Sequence, residues 1–588
     1  MSLGTLITGV PSAAINSISS SELLAASKSQ QFITNIIQAP EIVQQTFVSK
    51  IISLNQDPNT VIDNVPAQLA VEIPRVLLSF SKESVQVDTI NNKTWSQEQA
   101  VVFFENVARV AEDPEILSPS VLQGFTCSGV RNFNVSKVKN IIRAFRPRQG
   151  RPTVPLTEMQ STCMYNYIRD ENLQDFTNYP SDMLLYYNYE NIEKINCKSY
   201  FNATGAANFG ILSKILNKEA SLLYNAISCL GISGTNLTRD QVEILGNMVC
   251  TLNASFIENS DPVILENLKH CSGFSEGQVT AMENLLFTGT TLYGNVSTWS
   301  LQTLKNLEIL PLYLTARFWE QFSALVKKQF LSFFLPQLRE KGTELQKLRS
   351  LFQQYNSIRS KLRWRSGLDH RCTTGNITCS TIVDQAFPFG YSLSQFDLCL
   401  DANIVKNNQE VLISKVVDVS FQGVILNKLK EAYPSGLADE QVQQLRSVSR
   451  VASLDDINKW NITKIDTLFS LMISTDGEWE SAKSKVIIMK YLGTAGNSLG
   501  TPELNCIGGV NLCSLDVSVI RTISSSSLSN AKPLDISNCS TEQKKELYQK
   551  ANESFSQART DVGVYYQFIS PYLGEASQLH SCHYVDLC

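Results

Sequence analysis

The chain has 588 residues, of which 43% are hydrophobic and 18% are charged, and its formal net charge is -5. This is the composition of a folded protein with a weakly charged surface, and it excludes an intrinsically disordered chain. The slight acidic excess argues against a general nucleic-acid binder or a protein that adsorbs to acidic membranes, because both need a strong basic excess.

The first 95 residues are rich in Ser, Asn and Gln, contain no cysteine, and carry helical patterns over residues 42–54 and 69–80. They predict an N-terminal helical extension. Residues 1–26 lack the basic start and long apolar run of a signal peptide, and no hydrophobic tail follows the last cysteine. If the protein is secreted, we expect it to extend beyond both ends of this sequence.

A helix-start signal recurs through the rest of the chain: a Ser or Thr, two residues, a Gln, Glu or Asp, and then apolar residues at helical spacing. The hydroxyl of this N-cap residue accepts from the third amide of the helix, while the third side chain accepts from the amide of the N-cap residue itself; together the two bonds form a capping box. Strand signals are rare. The recurrence predicts an all-α solenoid of short helical hairpins that bury their apolar faces against their neighbours. The predicted N-caps are Ser96, Thr157, Thr238, Ser275, Ser453, Thr463 and Ser540.

Composition divides the chain into four predicted regions. Residues 1–95 form the N-terminal helical extension, and residues 96–345 form a first helical-repeat region. Residues 346–400 form a basic linker and a cysteine-bearing junction, and residues 401–588 form a second helical-repeat region that we expect to be truncated. Within the last region, residues 493–535 are rich in Gly, Ser, Asn and Pro and predict long loops.

All fourteen cysteines follow residue 126 and none forms a CxxC pair, so zinc-ribbon and thioredoxin-type spacings are absent. Many successive cysteines are separated by about the length of one helix plus a loop. This spacing favours disulfides between neighbouring helices in an oxidising compartment. The alternative is a set of buried cytosolic thiols. Ten N-x-S/T sequons mildly favour the first interpretation, although Asn538 is a poor acceptor because Cys539 follows it. The predicted glycosylation sites are Asn92, Asn134, Asn202, Asn236, Asn253, Asn295, Asn376, Asn461 and Asn552.

Five stretches, in the same order, resemble the family of mesothelin, stereocilin and otoancorin. In the strongest of them, Tyr433-Pro434 and Lys459-Trp460-Asn461 stand where the family has the same or similar residues. Together they indicate that the resemblance covers roughly residues 118–579. The five stretches are residues 124–141, 227–250, 297–314, 428–472 and 511–551.

The resemblance implies a right-handed, armadillo-like superhelix that is disulfide-stapled. It also implies a non-enzymatic glycoprotein of the cell surface or extracellular space, which mediates cell adhesion or matrix attachment through a mucin-like glycoprotein partner. A lipid anchor would belong to a longer protein, and no cofactor, metal site or nucleic-acid partner is expected. The implied disulfides are Cys127–Cys163, Cys197–Cys229, Cys250–Cys271, Cys513–Cys539, and a bond from Cys399 to either Cys372 or Cys379.

The family's mucin contact corresponds by position to about residues 366–430. Tyr391 is therefore the first candidate for partner binding, with Phe387, Phe389 and Phe396 beside it. Aromatic side chains beside a disulfide can form a rigid contact patch. The alternative is that these rings form the core of the first hairpin after the junction.

Six basic residues between positions 137 and 151 have two interpretations. They can form a patch for sulfated glycans or nucleic acid. The sequence favours a solvated helix end followed by a basic loop, because cations suit the C-terminal end of a helix. The six are Lys137, Lys139, Arg143, Arg146, Arg148 and Arg151.

An enzyme and an intracellular scaffold are the two alternatives to an adhesion protein. An enzyme is disfavoured, because no nucleophile-elbow, metalloprotease, P-loop or dinucleotide motif is present. The histidines and cysteines of residues 580–588 are too irregularly spaced to predict a zinc site. The main rival is an intracellular helical-repeat scaffold that binds other proteins, has free thiols and carries no glycans.

Overall fold

The computed structural model describes residues 9–80, 85–171, 173–212, 218–363 and 371–573. Within these ranges the chain folds into short helices without any β-strand, and an isolated antiparallel bridge joins Arg148 to Arg151. The predicted all-α fold is confirmed.

The described residues up to 230 form fourteen α-helices. These are α1 Ser12–Ser17, α2 Ser20–Ala26, α3 Gln30–Ile36, α4 Glu41–Ile52, α5 Pro58–Asn64, α6 Val87–Asn91, α7 Gln97–Val110, α8 Pro119–Leu122, α9 Cys127–Val130, α10 Val135–Ala144, α11 Glu158–Ile168, α12 Ser181–Leu184, α13 Cys197–Thr204 and α14 Lys218–Leu230.

The described residues from 239 to 363 form eight helices, and the last of them covers the start of the predicted basic linker. These are α15 Arg239–Leu245, α16 Ala254–Asn259, α17 Ile264–Leu268, α18 Glu276–Phe287, α19 Leu301–Asn306, α20 Ala316–Trp319, α21 Ala324–Glu340 and α22 Leu345–Arg363.

The described residues from 371 to 573 form fourteen further helices. These are α23 Cys379–Val383, α24 Leu393–Cys399, α25 Ala402–Asn407, α26 Gln409–Lys415, α27 Val419–Ala432, α28 Asp439–Gln443, α29 Leu454–Asn458, α30 Ile465–Met472, α31 Ser481–Leu492, α32 Thr501–Leu512, α33 Val517–Ile520, α34 Ser525–Asn530, α35 Thr541–Ser554 and α36 Val562–Ile569. Short 3₁₀ turns lie between many of the helices.

Most helices pack against helices one or two places away in the chain, such as α16 on α18, α25 on α27 and α30 on α32. Their apolar faces meet in a continuous core that contains large, fully buried side chains such as Phe103, Trp319 and Phe396. Contacts between successive units are those of a solenoid, since no short hairpin can bury its apolar face alone.

Six of the seven predicted N-caps are confirmed as capping boxes, and the prediction of Thr463 is wrong. α30 begins at Ile465, after Lys464. The carboxylate of Asp439, on α28, takes over the capping role and accepts from the amides of Thr463 and Lys464 at 3.0 and 3.2 Å. A cap supplied by another helix leaves no local pattern in the sequence. The confirmed caps are Ser96, Thr157, Thr238, Ser275, Ser453 and Ser540.

The glutamine of the capping signal also joins neighbouring units. Gln278 Oε1 accepts from the Ser275 amide at 2.8 Å, and Gln278 Nε2 donates to the carbonyls of Cys250 and Leu252 at 3.0 and 2.8 Å. One side chain therefore caps its own helix and binds the loop of the preceding unit, which we call a glutamine bridge. Bridges to two carbonyls recur at Gln99, Gln160 and Gln543.

The two ends of the described chain pack against each other, which the sequence did not predict. α4 contacts α30 and α32, and α7 contacts α36. The amide and hydroxyl of Ser12 donate to the Asp466 carboxylate at 3.0 and 2.8 Å. Lys532 Nζ lies 2.6 Å from Glu41 Oε1 and 3.1 Å from Glu72 Oε2. The N-terminal extension is therefore bound to the second repeat region, and we call this surface the end-to-end contact.

Two predictions of local structure are wrong. Residues 69–80 do not form one helix but fall in two 3₁₀ turns, Ala67–Glu72 and Arg75–Leu78, because Pro74 between them has no amide hydrogen to donate. Residues 493–535 do not form long loops but contain α32, α33 and α34. Pro502 lies in the first turn of α32, where proline favours a helix start.

Candidate functional site

The sequence placed the partner-binding site at the cysteine-bearing junction, where the structure shows a disulfide between Cys372 and Cys399. Gln395, one residue of α24, holds the loop around this disulfide. Its Oε1 accepts from the amides of Thr373 and Thr374 at 2.7 and 3.1 Å, and its Nε2 donates to the Arg371 carbonyl at 3.0 Å. The junction is thus rigidly attached to α24. Sequence reasoning missed Gln395, although Ser392 and Gln395 repeat the capping signal.

The four candidate aromatic side chains divide into two buried and two half-buried rings. Phe387 and Phe396 are 3% and 0% exposed, so neither can contact a partner, and their predicted place in a surface patch is wrong. Phe396 packs 4.7 Å from the ring centre of Phe421 on α27, which makes it part of the hairpin core. Phe389 and Tyr391 are half-buried against the core. Partial burial raises the pKa of the Tyr391 hydroxyl, and Lys328 lowers it by less.

Exposed apolar side chains accompany Tyr391 on the same stretch of chain. Leu393 and Leu398, both on α24, are 43% and 44% exposed, and Val383 at the end of α23 is 63% exposed. The end of α23 is held by Lys415, whose Nζ donates to its last carbonyls, including that of Ile382 at 2.7 Å. The segment therefore presents apolar and aromatic surface from a fixed backbone.

Within the described residues, five disulfides join neighbouring units, with sequence separations from 21 to 36 residues. The four pairs that the resemblance implied are confirmed, and Cys399 bonds Cys372 rather than Cys379. Cys379 begins α23 with an exposed, free thiol, whereas Cys372 lies in the loop that Gln395 holds beside α24. The pairs are Cys127–Cys163, Cys197–Cys229, Cys250–Cys271, Cys372–Cys399 and Cys513–Cys539.

The sequon asparagines lie at the surface, where a glycosyltransferase needs them. Asn552 is the exception, because it is half-buried and its Oδ1 accepts from Arg559 and from the Tyr565 hydroxyl, both at 2.7 Å. Glycosylation itself stays a prediction. The exposed acceptors are Asn92, Asn134, Asn202, Asn236, Asn253, Asn295, Asn376, Asn461 and also Asn538.

The basic cluster at residues 137–151 is largely occupied by contacts within the protein. Lys137 Nζ donates to the carbonyls of Arg109 and Ala111, and Arg151 donates to those of Glu115 and Leu117. These contacts fit the favoured interpretation of a helix end followed by a structured loop. They leave few of the cluster's charges available for a nucleic acid.

Ion pairs occupy three further cations of the cluster. Arg146 and Arg148 pair with Glu115 at 2.5 and 3.3 Å, and Lys139 pairs with Glu171 at 2.6 Å.

The described ranges contain neither a membrane-spanning helix nor a cluster of metal ligands. No described helix has the length and apolar character needed to cross a bilayer. In the same part of the chain, no three His, Cys, Asp or Glu side chains lie together as metal ligands. The conceivable zinc cluster at residues 580–588 lies outside the described residues.

Taken together, these features define a helical solenoid whose successive units are joined by disulfides and glutamine bridges, a construction typical of proteins from oxidising compartments. The sequence model of the family described as Mesothelin matches residues 71–583. The chain belongs to the mesothelin family.

Curated relatives agree with this assignment. A human "Mesothelin-like protein" is 30% identical over 456 residues, which is 77% of this chain and 63% of the relative. A mouse "Mesothelin" is 25% identical over 502 residues, covering 84% of this chain and 76% of the relative. A mouse "Otoancorin" is 22% identical over 553 residues, which is 89% of this chain and 46% of the relative. The chain spans less than two thirds of the human and mouse mesothelin-like proteins, 63% and 66% of their lengths.

Proposed function

We propose that this protein is a non-enzymatic glycoprotein of the cell surface or extracellular space that mediates adhesion by binding a mucin-like glycoprotein. The observation that carries the proposal is the set of five disulfides between neighbouring units in a member of the mesothelin family. Such bonds persist in oxidising compartments, whereas the rival intracellular scaffold requires free thiols. Exposed sequons on successive units add support.

The proposed partner contact is the surface around Tyr391. A tyrosine supplies an apolar ring and a polar hydroxyl from a side chain with few rotatable bonds, which suits contacts to sugars and peptide alike. Leu393 and Leu398 expose further apolar surface on α24, the helix that follows Tyr391. This surface is held by the Cys372–Cys399 disulfide and by Gln395, so little conformational entropy is lost when a partner binds.

The adhesion proposal is tested by coating a surface with the chain and counting attached epithelial cells. The chain would be secreted from mammalian cells with a heterologous leader. We expect cells that display mucins to attach, and cells stripped by a mucin-selective protease to attach several-fold less. Tyr391→Ala is expected to weaken attachment, whereas Tyr548→Ala, which removes a 38% exposed tyrosine of α35, is expected to leave it unchanged. Equal attachment to stripped cells contradicts the proposal.

The compartment is tested separately by mass spectrometry, under reducing and non-reducing conditions, of the protein isolated from its natural source. We expect the five disulfides to be intact and glycans to be present at Asn236 and Asn461. Free thiols at the paired cysteines of protein isolated from its natural source, together with unmodified Asn236 and Asn461, would favour the intracellular scaffold instead.

A further inference from the structure

A polar cleft of about 420 Å³ lies beside the C-terminal end of α10. Its walls come from the end of α10, from residues 171 and 173–175, and from the 3₁₀ turns Pro114–Ile116 and Phe176–Asn178. Arg143 and Tyr179 line it, and the exposed side chains of Gln174, Asp175 and Asn178 form its rim. The volume falls in the range of small-ligand sites and accommodates one or two sugar rings.

Arg143 differs from the other cations around this cleft. Among the described residues, no carboxylate forms an ion pair with it. Its guanidinium donates only to Asn140 Oδ1 and to the Tyr179 hydroxyl, both at 3.4 Å, which is long for a hydrogen bond. The guanidinium also lies 5.8 Å from the centre of the Tyr179 ring. The cleft therefore contains the Arg143 guanidinium, which packs on Tyr179 and has only long hydrogen bonds to the described residues.

Three carboxylates line the cleft, and each already has partners. Glu115 pairs with Arg146 and Arg148. Glu171 accepts from the Tyr179 hydroxyl at 2.7 Å and pairs with Lys139. Asp175 accepts from the Thr177 hydroxyl and amide at 2.5 and 3.1 Å, and from Asn178 Nδ2 at 2.9 Å. An anion can therefore approach Arg143, while the Asp175 side of the rim admits only groups that donate hydrogen bonds.

We propose that this cleft binds an acidic sugar, with its carboxylate or sulfate ester on Arg143 and its ring hydroxyls on Gln174, Asp175 and Asn178. A guanidinium offers a planar fork of donors that matches either anion. Amide and carboxylate side chains provide the mixed donors and acceptors that sugar hydroxyls need. The inference rests on the proposed function and deepens it, because it names the class of glycan that the adhesion protein recognises.

A nucleic acid fits the cleft less well. A polyphosphate backbone needs several unpaired cations along its length, and the other basic residues of this cluster are engaged within the protein.

The test is saturation-transfer NMR of the purified secreted chain with 3′-sialyllactose, 3′-sulfolactose and lactose. We expect one or both acidic probes to bind and lactose not to bind, and the acidic probe that binds identifies the anion as carboxylate or sulfate. Arg143→Gln should weaken binding about tenfold or more, since it removes a charged hydrogen-bonding group. The matched control Arg239→Gln removes an exposed arginine of α15 and should bind like the wild type.

A second variant keeps the test informative if Arg143→Gln disturbs folding, which circular dichroism would reveal. Gln174→Ala lies on the exposed rim and should weaken binding about threefold. The inference is overturned if neither acidic probe binds at about 10 mM, a weak-site limit, if lactose binds equally, or if Arg143→Gln binds unchanged. Binding of a short oligonucleotide that Arg143→Gln weakens, with no binding of the sugars, would overturn the inference and assign the cleft to nucleic acid.

Failure of this inference is distinguishable from failure of the adhesion proposal. If Arg143→Gln supports mucin-dependent cell attachment as well as the wild type does, the cleft is not the glycan site and adhesion stands. If the wild type supports no such attachment, the adhesion proposal fails whatever the sugar probes show.

Discussion

At the scale of single residues, the glutamines of the capping signal combine two functions that glutamate cannot combine. Either residue can cap a helix through a side-chain oxygen. Only glutamine also has the amide hydrogens that Gln278 donates to the carbonyls of Cys250 and Leu252. Gln278 is 8% exposed, so a charge at this position would also be costly to bury.

We therefore expect Gln278→Glu to keep the cap and lose the bridge. Two buried carbonyls would lose their donors, at a cost of roughly 2–3 kcal/mol in the free energy of local unfolding. Hydrogen exchange of α16 and α18 would measure this cost. Ser275→Ala, which removes only the cap hydroxyl, should cost about 1 kcal/mol. Equal effects of the two variants would show that the bridge does not stabilise the contact.

Asp439 is the second residue whose role depends on a neighbouring helix. Burial by itself raises the pKa of this carboxyl, but hydrogen bonds from Thr467, Thr463 and Lys464 outweigh burial and hold the pKa below 3.8. The stabilisation is therefore complete above about pH 4 and is lost as the pH falls through the lower, folded-state pKa.

Asp439→Asn should accordingly destabilise α30 by about 2 kcal/mol at pH 7, because a charged acceptor of several hydrogen bonds is lost. The difference from the wild type should shrink as the pH falls below about 4 and through the folded-state pKa of Asp439. Hydrogen exchange of α30 at several pH values would measure it, with the exposed Asp455→Asn of α29 as the control. A difference that stays constant with pH would contradict the assigned role.

At the scale of elements, four of the five disulfides lie next to a glutamine that binds the same loop. The Cys250–Cys271 bond and the bridge of Gln278 to the Cys250 carbonyl both hold the segment before α16. Cys271 lies in the loop that precedes α18, and Gln278 lies in the first turn of α18. The Cys513–Cys539 bond and Gln543 repeat this arrangement. Each disulfide thus reinforces a contact that hydrogen bonds already define, so that only the local unit depends on it.

Replacing both Cys250 and Cys271 by Ser should destabilise that unit by about 3 kcal/mol, the value expected for a closed loop of this length. Limited proteolysis between α15 and α18 should become faster, while distant units keep their protection. Cys379→Ser, which removes an exposed free thiol, is the matched control and should change nothing. Unfolding of the whole chain in the double variant would show that the units are not independent.

At the scale of the whole molecule, the end-to-end contact makes the N-terminal extension part of the folded body. None of the five described disulfides crosses this contact, so it depends on packing, on Ser12 with Asp466 and on Lys532 with two glutamates. Burial raises the pKa of Glu72, an effect that Lys532 opposes.

Lys532→Ala should loosen the end-to-end contact by about 1 kcal/mol, a small value because the lysine is partly exposed to solvent. The free Cys506 of α32 reports on this opening, since α32 packs on α4 and burial raises the pKa of the Cys506 thiol. Its labelling by a maleimide, followed by peptide mass spectrometry, should be about fivefold faster in the variant. Lys485→Ala, which breaks an exposed pair with Asp516, should leave the rate unchanged.

The sequence alone was sufficient for the helical class, six helix starts, four disulfide pairs and the family. Helix periodicity and capping boxes are local, because they involve residues within one or two turns. Family resemblance supplied the cysteine pairs. The family resemblance also named Tyr391 and its aromatic neighbours as one group, but it could not separate the half-buried Tyr391 from the buried Phe387 and Phe396.

Only the tertiary structure decided the features that join residues distant in the chain. These are the glutamine bridges, the Asp439 cap, the choice of Cys372 over Cys379, the unpaired Arg143 in its cleft, and the end-to-end contact. Each of these features forms only when the stacked units bring two distant groups of the chain together. Stacking is set by the summed packing of many apolar side chains, and no local pattern in the sequence records its outcome.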